Sequence, residues 1–186
     1  MDQGPLDSKG LPTEEGEDLI CVAPEVVHLS RFVRLYKLYL DEKYRSRVDL
    51  CLHNSDVAET LRCAPLARMW RSVASMLSGS GLDELPSSLQ AINAMHFAIL
   101  PTIRSLLLER ADAGDVQTCV ALCEVLQVIE SNEKTRIPGL DLNLVREWYL
   151  SYIDLLQQMC LFEAATFLIK KCKDPFIGAL NQQSTT

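Results

Sequence analysis

Histidine, aromatic residues and strand-type alternation are all scarce in this chain of 186 residues, and each scarcity removes a class of protein. The only histidines are His28, His53 and His96. Nucleophilic catalysis of the serine or cysteine type needs a base beside the nucleophile and a third group to orient it. None of the three sits in such a pattern. His28 precedes the first helix expected, His53 falls beside Asn54 on a face expected to be open, and His96 lies between Met95 and Phe97 on a mostly apolar helix. Satisfied or solvated histidines are the simpler reading of all three.

Aromatics make up only 6% of the residues, and nowhere do Val, Ile and Thr alternate with polar residues as a half-buried strand requires. No apolar run approaches the roughly 18 residues of a membrane span, and residues 1–18 lack the apolar core of a secretory signal. A cytoplasmic, reduced location is the expectation. The seven cysteines are then read as small hydrophobes on helix faces rather than as a disulfide framework. Cys51, His53 and Cys63 lie close in sequence, and Cys119 and Cys123 share a helix face, but no second pair accompanies them to complete a zinc site. Ser78-Gly79-Ser80-Gly81 is not followed by the Gly-Lys-Ser/Thr of a phosphate-binding loop. No residue is therefore assigned a catalytic, cofactor-binding or metal-ligating role, and the chain is expected not to be an enzyme.

A surplus of positive charge is also missing. The formal charge is -7, and Asp2, Asp7, Glu14, Glu15, Glu17 and Asp18 against Lys9 place five of those seven negatives in the first eighteen residues. The rest of the chain is nearly neutral, so no nucleic-acid partner is expected from its overall field. One local exception is residues 31–47, where Arg31, Arg34, Lys37, Lys43, Arg45 and Arg47 alternate with Phe32, Tyr36, Tyr39 and Tyr44. An adaptor for RNA or a membrane surface is the alternative that this segment raises; packed rings and solvated charges are the plainer one.

What is present is helical periodicity, backed by 48% hydrophobic residues. The pattern predicts an all-α fold, an α-solenoid of antiparallel hairpins with about seven helices. Residues 1–18 read as a disordered acidic tail, 19–77 as first helical hairpins, 78–86 as a Gly/Ser linker, 87–176 as a second hairpin set and 177–186 as a tail. Leu29, Phe32, Val33, Tyr36 and Leu40 mark the first helix. Val48, Cys51, Leu52, Val57, Ala58 and Leu61 are the expected inner face of a second, from about Ser46 to Leu61. A third runs from Pro65 to about Leu77 and buries Leu66, Met69, Trp70, Val73 and Leu77. Pro101 is expected to kink or split a fourth. Gly114 and Asp115 should close the fourth helix and cap the fifth, and Asp141 should cap the sixth, whose inner face holds Trp148, Tyr149 and Tyr152. A seventh presents Phe162, Ala165, Leu168, Ile169 and Cys172. Trp70, Trp148, Tyr149 and Tyr152 are the candidate anchors, for the core or for a partner.

Ala113-Gly114-Asp115-Val116-Gln117, the run from Trp148 to Gln157 and the run from Leu180 to Thr186 resemble the C-terminal solenoid of the WD repeat-containing protein twenty-four family, Sea-two in yeast. Leu52 to Ala58 followed by Leu66-Ala67 and Trp70 is similar to the hairpins that open that region. The likeness runs over about residues 45–186 and leaves 1–44 unmatched. Family members carry a β-propeller before this solenoid and a zinc-binding RING-like module after it, and the chain is expected to lack both. The resemblance implies a non-catalytic scaffold in a SEA- or GATOR-type complex that relays amino-acid sufficiency to TOR kinase. Its partners would be the other subunits, and any association with the lysosomal or vacuolar surface would be peripheral and through them. The alternative it leaves is part of a RING-type ubiquitin ligase whose catalytic module lies outside this chain.

Overall fold

The computed structural model describes residues 24–80, 89–129 and 137–183, and among these every regular element is a helix. There are eight: α1 Pro24–Leu35, α2 Arg47–Thr60, α3 Ala64–Ser80, α4 Leu89–Asp112, α5 Val116–Leu126, α6 Leu142–Gln158, α7 Phe162–Lys171 and α8 Pro175–Gln183. The all-α expectation holds, with one helix more than expected. The additional helix, α8, occupies most of the stretch expected to be a tail. It forms because Asp174 accepts the Phe176 and Ile177 amides at its start and Ile177 is fully buried. At the other boundary, α3 continues through Ser78 to Ser80, into the stretch read as a linker. The acidic tail, most of the Gly/Ser stretch and the loop 130–136 lie outside the described residues.

Helices pack mainly on their chain neighbours: α2 on α3, then α3 on α4, α4 on α5, α5 on α6, α6 on α7 and α7 on α8. Two contacts depart from that order: α6 also meets α8, and α2 meets α5, which joins the first hairpin to the second. As a result α5 is covered on nearly every side. Gln117, Thr118, Cys119, Val120, Ala121, Leu122, Cys123 and Val125 are all buried.

The turns repeat one device. At the ends of α2, α4, α5 and α6, an amide bonds back to the carbonyl five residues earlier: Cys63 to Ala58, Asp115 to Arg110, Val128 to Cys123 and Leu161 to Leu156, each at 2.8–2.9 Å. The residue before each of these amides, namely Arg62, Gly114, Gln127 or Cys160, has a left-handed backbone with φ between 54° and 74°. This is the Schellman closure, and it satisfies carbonyls that a helix end leaves unpaired. Asp115 then accepts the Thr118 amide at the start of α5, and Asp141 accepts that of Asn143 at the start of α6. Pro101 lies inside α4 without dividing it.

Three expected faces are corrected. In α2 the inner stripe is Leu50, Cys51, Asn54, Ser55, Ala58 and Leu61, joined by Val57, while Leu52 is exposed and Val48 half-buried. The first helix stops at Leu35, so Leu40 is neither helical nor buried. In α7, Phe162 points outward instead of joining Ala165, Leu168 and Ile169 in the core.

Candidate interaction surface

The segment from Tyr36 to Ser46 is not helical, and it crosses the molecule as a strap whose anchorage starts in α2. Asn54, fully buried, clamps the Lys37 peptide from both sides. Its Oδ1 accepts the Lys37 amide and its Nδ2 donates to the Lys37 carbonyl, each at 2.9 Å. One residue earlier in α2, His53 Nε2 donates to the Leu35 carbonyl at 3.0 Å, which leaves Nδ1 to accept the Tyr44 hydroxyl at 2.9 Å. His53 thus ties both ends of the strap rather than lying open to solvent. Asp41 closes the bend by accepting the Lys43 and Tyr44 amides. The Tyr44 amide most of all, then that of Lys43 and the charges of Lys37 and Lys43, hold its carboxyl below its ordinary value of 3.8.

The far side of the strap meets α7. Tyr39 stands edge-on to Phe167 with ring centroids 5.5 Å apart, and Lys171 Nζ lies 5.8 Å from both rings. Leu38, Tyr39 and Leu40 separate two cavities. One, of about 430 Å³, is walled by Tyr36, Tyr152, Leu156, Ala164 and Leu168; the other, of about 290 Å³, opens among Arg47, Lys171 and Lys173 over Leu50, Val125 and Ile129. Phe162, Phe167 and Phe176 are each more than half exposed and lie on α7 and α8. Open cavities beside exposed aromatic rings suit protein contact better than chemistry.

The four sequence-derived anchors lie deeper than this surface. Trp70 has no exposed area, Tyr149 has 1%, Trp148 4% and Tyr152 6%. Trp70 Nε1 donates to the Tyr36 hydroxyl at 3.0 Å while the two rings meet edge to face at 5.6 Å, and Phe32 covers Tyr36 from 4.8 Å. Burial pushes the Tyr36 hydroxyl above its ordinary range despite the opposing Trp70 bond. Tyr149 donates to Glu124 across the α5–α6 contact, and Tyr152 bonds Gln117; burial raises both hydroxyls too. These residues hold helices together and present no face to a partner.

The same burial bears on the RNA or membrane reading of residues 31–47. Phe32, Tyr36 and Tyr44 are in the core and Tyr39 lies against Phe167, so the segment offers no row of open rings for bases. Among the described residues no three His, Cys, Asp or Glu side chains gather where they could hold a metal ion. Cys119 is buried, its thiol directed at the Leu107 carbonyl and pushed up to about 12, chiefly by burial. Cys123 is raised by the same cause. Neither resembles an activated thiolate. No described helix is long and apolar enough to cross a membrane. The side chains of His28 and His96 lie outside the described residues.

Sequence reasoning passed over Asn54, Arg146 and Asp174, and placed on an open face His53, which the structure ties to Leu35 and Tyr44. Asn54 had a signal, since it falls on the three- and four-residue spacing of Leu50, Cys51, Ala58 and Leu61, where a polar residue must find a partner. Arg146 Nε donates to Asp174 at 2.7 Å, fastening the start of α8 to α6. With no periodicity linking residues 28 positions apart, this pair left no trace in the sequence.

Comparison with protein-family models finds no match. Among curated proteins the chain is similar to the GATOR2 complex protein WDR24 of several organisms. It is 40% identical over 86 residues to that of Gallus gallus, covering 46% of this chain and 11% of that protein. Against Homo sapiens it is 32% identical over 121 residues, 62% of this chain and 15% of the relative; against Dictyostelium discoideum, 30% over 106 residues, 56% and 10%. The resemblance read from the residues is to this same family, and the chain spans only 10–15% of these relatives' length.

Proposed function

We propose that this relative of the WDR24 proteins is a non-catalytic interaction scaffold, a subunit or fragment of a GATOR- or SEA-type complex. The observation that carries the reading is the similarity to GATOR2 complex protein WDR24 over as much as 62% of the chain. The helical hairpins with an open strap-and-groove face are in keeping with it, since a surface built from successive helix pairs binds neighbours without needing reactive groups. In this reading the scaffold serves a complex that relays amino-acid sufficiency to TOR kinase signalling. It reaches the lysosomal or vacuolar surface through its partners. The exposed rings of α7 and α8 and the cavities beside the strap are the contact surface, and Trp70, Trp148, Tyr149 and Tyr152 keep that surface in shape.

Affinity purification of the tagged chain from nutrient-fed cells tests this. The scaffold reading expects other GATOR2 subunits to be enriched over a tag-only control, and it fails if a folded, soluble chain brings down none of them. Ubiquitin transfer promoted by the isolated chain, with no RING protein added, would contradict the non-catalytic part independently.

A further inference from the structure

The larger cavity, of about 430 Å³, lies between parts of the chain far apart in sequence. Val33 in the last turn of α1 lines it with Tyr36 and Leu38 of the strap, and so do Leu156 of α6 and Ala164 and Leu168 of α7. Lys37, Asp41 and Glu163 are the charged residues among its described lining, so burial of apolar groups decides its occupant more than charge does. Leu40 and Phe167, 47% and 52% exposed, carry the apolar lining out to solvent. An apolar cavity of about 150 Å³ already admits a benzene-sized group, so this one has room for several aliphatic side chains.

We propose that the chain's own apolar run just before α1 seats in this cavity, with Leu19 and Ile20 as the residues that enter it. Leu19, Ile20, Cys21, Val22 and Ala23 follow one another with no charged residue among them, between Asp18 and Pro24. Reach permits the docking. The helical rise carries α1 about 14 Å from Pro24 to Val33. With Ala23 used to reverse the chain, Leu19 to Val22 cover about 13 Å when extended, which brings Leu19 level with Val33 and Ile20 close behind. Tethered by so short a stretch, the run acts at an effective concentration in the millimolar range, so a modest apolar gain suffices to hold it. The proposal does not rest on the scaffold reading. It gives the free chain a cover over part of the face which that reading assigns to partners, and a partner using this cavity must displace it.

Nuclear Overhauser spectroscopy on the intact chain, labelled at its Ile, Leu and Val methyls, tests the docking, because the effect arises only between groups in near contact. The Leu19 and Ile20 methyls should give cross-peaks to those of Val33, Leu156 and Leu168. Leu19→Asp combined with Ile20→Asp should erase these cross-peaks and shift the Leu156 and Leu168 resonances, while Leu50 and Val73 in the α2–α3 pair keep theirs. An isotope-filtered spectrum of two differently labelled preparations, mixed, separates contacts within one molecule from contacts between two. Cross-peaks seen only between molecules assign the cavity to a second copy and overturn the proposal. It is overturned equally if the Leu19 and Ile20 methyls keep the shifts of an unfolded peptide and show no cross-peaks, or if their contacts are confined to methyls outside the cavity. The co-purification test has no part in this outcome, so either reading can fail alone.

Discussion

At the scale of single residues, the first hairpin depends on a three-ring cluster with one internal hydrogen bond. The Trp70 ring is wholly buried and its indole N–H is satisfied only through Tyr36, a residue outside any helix. Tyr36→Phe leaves that donor buried without its partner and should cost roughly 1–3 kcal/mol, while Trp70→Ala, which also opens a cavity, should cost roughly 3–5 kcal/mol. Urea titration followed by circular dichroism measures both. Asn54→Leu is the sharper variant: it nearly keeps the volume but strands the Lys37 N–H and C=O. It should free the strap while α2 and α3 remain folded, visible as faster amide exchange confined to residues 36–46. That polar residue lay on an apolar stripe in plain view, yet hydrophobic periodicity alone passes over it. The period marks which face is inside; what satisfies a polar group there depends on backbone from another part of the chain.

Elements are delimited by their ends more than by propensity. Capping by Asp115 and Asp141 was readable because Asp bonds amides two or three positions ahead, and Ser46, read only as the start of the second helix, does the same. Closure by Arg62, Gln127 and Cys160 was not, because left-handed residues are sought among glycines, and only Gly114 of the four obeys. The side-chain strain at those positions suggests a stabilising change. Cys160 is exposed, so Cys160→Gly removes the Cβ penalty without opening a cavity and should raise stability by up to about 1 kcal/mol, seen as a higher Tm. Helix α8 depends on Asp174 in a different way. Burial alone would raise its carboxyl, but the Arg146 bond and the Phe176 and Ile177 amides outweigh it and hold the group below its ordinary value of 3.8. A carboxylate lowered on folding stabilises the folded form above the ordinary range, and that contribution is lost as the pH falls through its folded value. The docking of α8 should therefore loosen on acidification before the ring cluster of α1–α3 does. Asp174→Ala should abolish that difference at a cost of roughly 1–2 kcal/mol at neutral pH, as read by site-resolved hydrogen exchange.

For the whole molecule, the all-helical class followed from periodicity, and the pairing of α2 with α3, α4 with α5, α6 with α7 and α7 with α8 from turns of three residues, because helices joined so closely have little choice but to pack on one another. Two features were hidden. The α2–α5 contact joins residues far apart in sequence, and the strap trades helical hydrogen bonds for side chains that no local window contains. Those two features create the open face: the strap divides the cavities, and α5 supplies the floor of one. The candidate anchors were legible as large apolar residues on inner faces, but spacing alone did not tell how deeply Trp70, Trp148, Tyr149 and Tyr152 are buried. What distinguishes a scaffold from any other helical domain is therefore binding. The most direct measurement is size-exclusion chromatography of the purified chain with a GATOR2 assembly prepared without its WDR24 subunit. Co-elution with the assembly, reduced by Phe167→Ser or Phe176→Ser but not by Leu52→Ser on α2, is the result predicted. A folded chain that elutes alone, at the volume of its own monomer, would contradict the account.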